Sequence, residues 1–197
     1  GIFQIFNHMF ERFGIKVNFV DTSNLDKVLA AITPSTKVIW LESPTNPTLR
    51  ISDIKSISKI AKQHDILLVV DNTFSTPLLQ QPLTLGADIV IHSASKYLAG
   101  HCDVIAGLVV VNSKSLADQL RYNQNISGSI LSPFEAWLTI RGIETLYLRL
   151  EKQCSNASAI ASWLAAHPAV DKVFEPGLTT HKNDQIARKQ QKSYGAL

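Results

Sequence analysis

Long apolar runs are missing from this chain of 197 residues. The longest, Val104 to Val111, is interrupted by Gly107 and falls far short of the roughly 18 residues that a membrane-crossing helix requires. The expectation is a soluble protein with no membrane partner. A surplus of one charge is missing too. Lys and Arg number 19 against 16 Asp and Glu, a net charge of +3, and only the stretch from Lys182 to Lys192 concentrates the excess, which argues against nucleic acid as a partner. Cysteine is sparse: Cys102 and Cys154 form no CxxC pair, and with no secretory leader before them they fit a reducing, cytoplasmic setting better than a disulfide framework. No internal repeat of solenoid length is present. What the chain does have is 45% hydrophobic against 18% charged residues, enough to bury a real core.

The ends carry information of their own. Gly1 is followed at once by Ile2, Phe3, Ile5 and Phe6, with Met9, Phe10 and Phe13 continuing at helical spacing. The last residues, Ser193 to Leu197, read as the entrance to a strand. Both ends are expected to lie inside a longer protein, so that this stretch holds only part of its machinery.

Between them, short β-rich runs alternate with helical patterns. Lys16 to Asp21 reads as a strand and Asn24 to Ile32 as a helix with Ser23 as its cap. Lys37 to Leu41 is an apolar strand ending in the turn cluster Ser43 to Thr48. Ile54, Ile57, Ile60 and Ala61 mark an amphipathic helix. Ile66 to Val70 is five consecutive apolar residues, the pattern of a parallel strand covered on both faces. Further strands are expected at Ile89 to His92 and Leu108 to Val111. Strands separated by helices mean crossover connections, so the fold class is α/β with a mostly parallel sheet and flanking helices. Helices are then expected at Ser115 to Asn123, from Pro133 to Ile140, and from about Ile143 to Ala166, where Pro168 stops the last one. Val170 to Phe174 reads as a strand opening a second unit.

Ligands in open α/β sheets bind at the carboxyl ends of strands. Three such ends here are rich in polar groups: Glu42-Ser43-Pro44-Thr45-Asn46-Pro47, Asp71-Asn72-Thr73, and Ser93-Ala94-Ser95-Lys96. Singly each is ordinary, since Asp71 can cap a segment, Asn46 can form a turn and Lys96 can be a solvated lysine. Jointly they are not. A lysine just after a buried strand, preceded by two serines and lying 25 residues after an acid that ends the previous strand, is poorly explained by surface statistics. The chemistry that wants this set is pyridoxal 5'-phosphate catalysis: a lysine amine for the Schiff base, a carboxylate against the pyridine nitrogen, and hydroxyls for the phosphate. Lys96 is expected to be buried opposite Asp71, with Asp71 as an acceptor rather than a base and Lys96 moving protons between substrate carbons.

The runs Ser43 to Pro47, Val70 to Phe74, Gly86 to Asp88, His92 to Tyr97 and Gly100 to Val104, with Ser132-Pro133 and Arg141-Gly142 further on, closely resemble the Cys/Met-metabolism family of pyridoxal phosphate enzymes. That family includes cystathionine β-lyase, cystathionine γ-lyase, cystathionine γ-synthase and methionine γ-lyase. The resemblance covers essentially the whole chain. It implies a fold type I large domain over 1–142, a long connecting helix over 143–167 and the beginning of a C-terminal α+β domain over 168–197. It implies Lys96 as the Schiff-base lysine, Asp71 on the pyridine nitrogen, Ser93 and Ser95 on the phosphate, and Thr73 and Asn46 near the ring. It also implies a small sulfur amino acid as substrate and a homotetramer built as a dimer of dimers. Two departures are mild: Ser95 stands where the family usually has threonine, and Cys102 where it often has serine, read here as a small buried neighbour. The ring-stacking tyrosine and a glycine-rich phosphate loop are expected upstream of Gly1 and the substrate-carboxylate arginine downstream of Leu197, so the stretch alone is expected to be inactive or to bind cofactor weakly.

Other readings are weaker. Ser93-x-x-Lys96 matches the serine and lysine spacing of penicillin-recognising acyl enzymes, but neither Ser-Asp-Asn nor Lys-Thr-Gly occurs. A cofactor-free scaffold role is the second class. His101, Cys102 and Asp103 are consecutive and cannot all turn toward one metal, while His167 and His181 stand alone. The glycosylation tripeptides at Asn125 and Asn156 are read as accidental, and Trp40, Trp137 and Trp163 as core or interface residues. Within the family a cystathionine lyase is favoured, with γ-replacement as the alternative.

Overall fold

The computed structural model describes residues 2–196; what rests on Gly1 and Leu197 lies outside the described residues. The chain begins with helical turns, α1 (Ile2–Gln4), a π-helical turn (Ile5–Met9) and a 3-10 turn (Phe10–Phe13), ended by Gly14 at φ 72°. Phe6 meets Trp40 edge-on at 5.5 Å between ring centroids and Phe3 meets Phe19 at 4.8 Å, so aromatic contacts fasten this segment to the sheet.

A four-stranded sheet follows in the order β1 (Val38–Glu42), β2 (Leu67–Asp71), β3 (Ile89–Ser93), β4 (Gly107–Val111). The first three strands are parallel. β4 is antiparallel to β3, because the connection between them is a turn with no crossover helix and sends the chain straight back. Helices α2 (Leu25–Ala31), α3 (Ile54–Gln63) and the short α4 (Thr76–Leu79) come before or between the strands; α5 (Lys114–Ser127), α6 (Pro133–Glu144), α7 (Leu146–Ala165) and α8 (Asp184–Gln190) follow β4. This is the α/β class expected. Leu41, Leu68, Val70 and Val90 on one face of the sheet meet Ile54, Ile57 and Ala61 of α3 in one core cluster. A second gathers Ala94 and Leu98 from the segment after β3 with Leu146, Leu150 and Cys154 of α7.

Several expectations need correction. Lys16 to Asp21 is not a strand: it has no partner in the sheet, and Asp21 is used locally, its carboxylate accepting from the Ser23 hydroxyl at 2.6 Å and meeting Arg50 at 3.0 Å. Ser23 is thereby spent, and Asn24 caps α2 by accepting from the Asp26 and Lys27 amides. Val170 to Phe174 and Ser193 to Ala196 also lack strand structure for want of a partner. The basic stretch from Lys182 to Lys192 contains α8, which the sequence pattern did not announce. The long helix expected from Ile143 is instead broken at Thr145, which ends α6 and begins α7. The break is bound up with Arg149, whose guanidinium donates to the Gly142 carbonyl at 2.6 Å, to the Tyr97 carbonyl at 3.1 Å and to the Thr145 hydroxyl at 3.0 Å. One cation thus ties the helix junction to the segment that carries Lys96. At the same junction Gly142 faces the Ala99 carbonyl so closely that a Cβ would collide with backbone.

A buried amide network joins α8 to the strand ends. The fully buried Gln80 donates to the Ser43 carbonyl at 2.9 Å and to Asn72 Oδ1 at 2.8 Å. Asn72 donates in turn to the carbonyls of Thr76 and Gln80. Gln190, in the last turn of α8, donates to Gln80 Oε1 at 3.1 Å and to the Ser52 carbonyl at 3.0 Å and accepts from the Ile54 amide. Each of these bonds satisfies a group that would be costly to bury alone.

Two substitutions test this account in the protein that carries this chain. Gln80→Leu strands the Ser43 carbonyl, Asn72 Oδ1 and a Gln190 proton and is expected to cost about 3 kcal/mol in a denaturant titration. Gly142→Ala is expected to cost about 2 kcal/mol through overpacking against Ala99; an unchanged unfolding midpoint in either variant contradicts the packing described.

Candidate active site

The carboxyl ends of β1, β2 and β3 lie side by side, because parallel strands in register end together. Glu42 pairs with Asp71, and Asp71 with Ile91. Side chains of residues paired across a sheet share a face, so Glu42, Asp71 and, two residues beyond Ile91, Ser93 belong to one side of it.

Asp71 is not a free-swinging carboxylate. Its Oδ1 accepts from the Thr73 amide at 3.0 Å and from the Thr73 hydroxyl at 2.5 Å. The same Thr73 oxygen accepts from the Ser93 amide at 2.8 Å. Thr73 is buried, and its one hydroxyl therefore stitches the end of β2 to the end of β3 while orienting the acid. Among the described residues no hydrogen bond reaches Asp71 Oδ2, which leaves one carboxylate oxygen with its acceptor capacity unspent.

Lys96 sits in a compact turn after β3. Its amide donates to the Ser93 carbonyl at 3.1 Å, its carbonyl accepts from the Gly100 amide at 2.8 Å, and the Ala99 amide reaches the Ala94 carbonyl at 2.8 Å. Ala94, Leu98 and Ala99 are buried on the inner side of this turn, which sends Lys96 outward. The expectation of a buried lysine is therefore corrected: Lys96 is exposed, because the four-residue spacing that buries Ala94 and Leu98 beneath α7 turns position 96 the other way. Its amine has no ion-pair partner among the described residues. Ser95 closes the turn from the far side, its hydroxyl oxygen accepting from the Ala106 amide at 2.9 Å. The Ser93 hydroxyl has no hydrogen bond among the described residues, and Asn46, on the loop after β1, is exposed.

Three features at this rim were given no role by the sequence reading. Glu42 is half-buried, and burial first, then the neighbouring Asp71 charge, push its carboxyl above the usual range, opposed by a hydrogen bond from the Asn46 amide. His92 is buried with no partner for Nδ1; burial holds its ring below the ordinary histidine value while the Asp71 charge pulls the other way. By strand alternation it points to the face opposite Ser93, where Leu98, Leu108 and Leu146 line an apolar recess with it. The third is the Arg149 fork under the lysine turn. The Glu42–Asp71 pairing is visible only once the register is known, and Arg149 lies 53 residues from Lys96 in sequence. The reading of Cys102 as buried is also corrected: it is exposed, and the buried thiol is Cys154. Trp137 and Trp163 are exposed, which corrects only the core half of their reading as core or interface residues.

The groups left open fit a phosphorylated pyridine aldehyde. An unspent carboxylate oxygen suits a protonated ring nitrogen, an unpaired amine suits an aldehyde, and an unbonded hydroxyl suits a phosphate oxygen. Ser95 fits less simply, since its hydroxyl accepts from the Ala106 amide at 2.9 Å and donates to the Ala106 carbonyl at 3.4 Å, a long bond that a phosphate oxygen would have to displace.

Every residue, 1–197, matches the family described as Cys/Met metabolism PLP-dependent enzyme. The chain is 51% identical over 197 residues to the cystathionine beta-lyase of Lactococcus lactis subsp. cremoris (strain MG1363), covering 100% of this chain and 52% of that protein. It is 49% identical over 197 residues to the cystathionine gamma-lyase of Bacillus subtilis (strain 168), again 100% of this chain and 52% of that one. The crystal structure of cystathionine gamma-lyase from Lactobacillus plantarum complexed with L-serine superposes with a TM-score of 0.98 at 48% identity, over 99% of this chain and 51% of the other. The chain thus spans about half the length of the curated relatives it matches. With the fold, the rim of open polar groups and a match over its full length in agreement, the chain belongs to the Cys/Met-metabolism family of PLP-dependent enzymes.

Proposed function

We propose that the protein carrying this chain is a pyridoxal phosphate-dependent carbon–sulfur lyase that eliminates at Cβ or Cγ of cystathionine or a related sulfur amino acid. The observation that carries the reading is the oriented, half-open Asp71 carboxylate, knotted through Thr73 to the strand that leads into Lys96. The names of the relatives support lyase chemistry and divide between β- and γ-elimination. Residues 1–142 then belong to the cofactor-binding domain, 143–167 to a connecting helical region and 168–197 to the beginning of a second domain. A cytoplasmic homotetramer is the assembly proposed for the whole protein.

The geometry supports the following roles. When bound, the cofactor supplies an electron-poor ring that takes up the pair released at the substrate Cα. Asp71, fixed by Thr73, presents its open oxygen to the ring nitrogen and keeps it protonated by charge. Thr73 acts through Asp71, because its own proton is spent there. Ser93 and Ser95 hold the phosphate, and Asn46 reaches the ring from the β1 loop. Lys96 would hold the cofactor's aldehyde, and its amine would take a proton from the substrate Cα and return one to a carbon further along the substrate. Its position on an exposed turn gives the amine room for both tasks, and the Arg149 fork keeps the turn itself still.

Lys96→Ala is expected to abolish the borohydride-reducible visible absorption band of the protein and to lower turnover by roughly 10²–10⁴-fold; a band that survives places the linkage on another amine. With cystathionine as substrate, pyruvate is expected from β-elimination and 2-oxobutanoate from γ-elimination. Formation of neither, with cystathionine made from a homoserine ester and cysteine, replaces the lyase reading with γ-replacement.

A further inference from the structure

Glu42 has no place in the roles above, yet it ends β1 directly beside Asp71 at the end of β2. Like charges opposed on neighbouring strands destabilise a sheet. Here the two carboxylates share a face, Glu42 is half-buried, and neither has a Lys, Arg or His ion-pair partner among the described residues. The surroundings of Glu42 can be named element by element. β2 contributes the Asp71 charge and the β1 loop the Asn46 amide, while β3 lies beyond β2 and is not a direct neighbour of Glu42. Lys96, on the turn after β3, pairs with neither acid, and His92 lies on the opposite face. A glutamine would fill the same space, keep the Asn46 amide bonded and remove the repulsion. Folding alone therefore does not account for an acid at position 42.

The geometry points to Glu42 as a positioning residue, a second carboxylate that reinforces Asp71 in holding a cationic ring nitrogen at the end of β2. The inference rests on the pyridoxal phosphate reading above and deepens it. A cation brought to Asp71 also lies within the field of Glu42, and a single charge at such a distance in a partly solvated site changes affinity by about tenfold. The sign of the pH dependence follows. The Glu42 carboxyl titrates above its unfolded value, so the folded apo-protein loses stability as pH rises through that range. Over the same range the anion forms and cofactor affinity rises. Apo stability and cofactor affinity are thus expected to move in opposite directions with pH.

The experiment compares the wild-type protein that carries this chain with Glu42→Gln, Glu42→Asp and Asp71→Asn. Pyridoxal phosphate is titrated into each apo-protein at a series of pH values, and thermal unfolding of each apo-protein is recorded in parallel. At neutral pH, Glu42→Gln is expected to melt higher than wild type without cofactor and to bind the cofactor about tenfold more weakly, with both differences fading in acid. Glu42→Asp keeps the charge and is expected to bind close to wild type. A Glu42→Gln protein that binds as tightly as wild type, or whose apo form melts lower, overturns the inference and leaves Glu42 a structural residue. If wild type takes up no cofactor, or Asp71→Asn binds as tightly as wild type, the underlying reading fails instead.

Discussion

One hydroxyl organises the functional end of this molecule. Thr73 Oγ1 donates to Asp71 and accepts from the Ser93 amide, so the same atom sets the angle of the acid and closes the gap between the tips of β2 and β3. Sheet hydrogen bonds hold strands along their length but stop at the tips, where a site at the carboxyl end must be built. The last backbone hydrogen bond between these two strands, from the Asn72 amide to the Ile91 carbonyl at 2.9 Å, stops short of Ser93, and the Thr73 stitch extends that hold to the acid and to the segment that leads to Lys96. With it they move together, which is the condition for two groups to act on opposite edges of one small ring.

The layers beneath that stitch are polar on one flank and apolar on the other. Asn72, adjacent to Asp71, is locked by Gln80, and Gln80 by Gln190 from α8. On the other flank Ala94 and Leu98 pack beneath α7 and Ala99 lies against Gly142 of α6, and the Arg149 fork binds carbonyls of this turn and of the α6–α7 junction. A network of amides specifies a unique arrangement because each member has one partner geometry, whereas the apolar flank supplies the larger share of stabilisation.

Local sequence carried the parts of this architecture that depend on local forces. The cores of β1, β2 and β3 are legible within a residue because runs such as Ile66 to Val70 suit only a strand buried on both faces. The order Asp71, Ser93, Lys96 at successive strand ends is legible for the same reason. What failed needed a partner to decide it. Lys16 to Asp21 and Val170 to Phe174 have strand-like composition but no neighbouring strand, and composition cannot supply one. Ser23 and Asn24 are both good caps, and the choice fell to Asn24 because Asp21 had captured Ser23. The direction in which Lys96 points follows from the burial of Ala94 and Leu98 beneath a helix that begins 50 residues further on, at Leu146, and Gln190 meets Gln80 across 110 positions. The pairing of Glu42 with Asp71 is a fact of register, which sequence leaves open.

The break at Thr145 has a mechanical consequence. α7 is 20 residues long, roughly 30 Å, and its clamp to the lysine turn is made by Arg149, in its first turn. Leu146, Leu150 and Cys154 pack into the second core as well, so the rod is gripped along its first half and its last turns are the part least tied to the lysine turn. Rearrangements near Ala165 can therefore proceed with little disturbance of the amine at the other extremity of the lever.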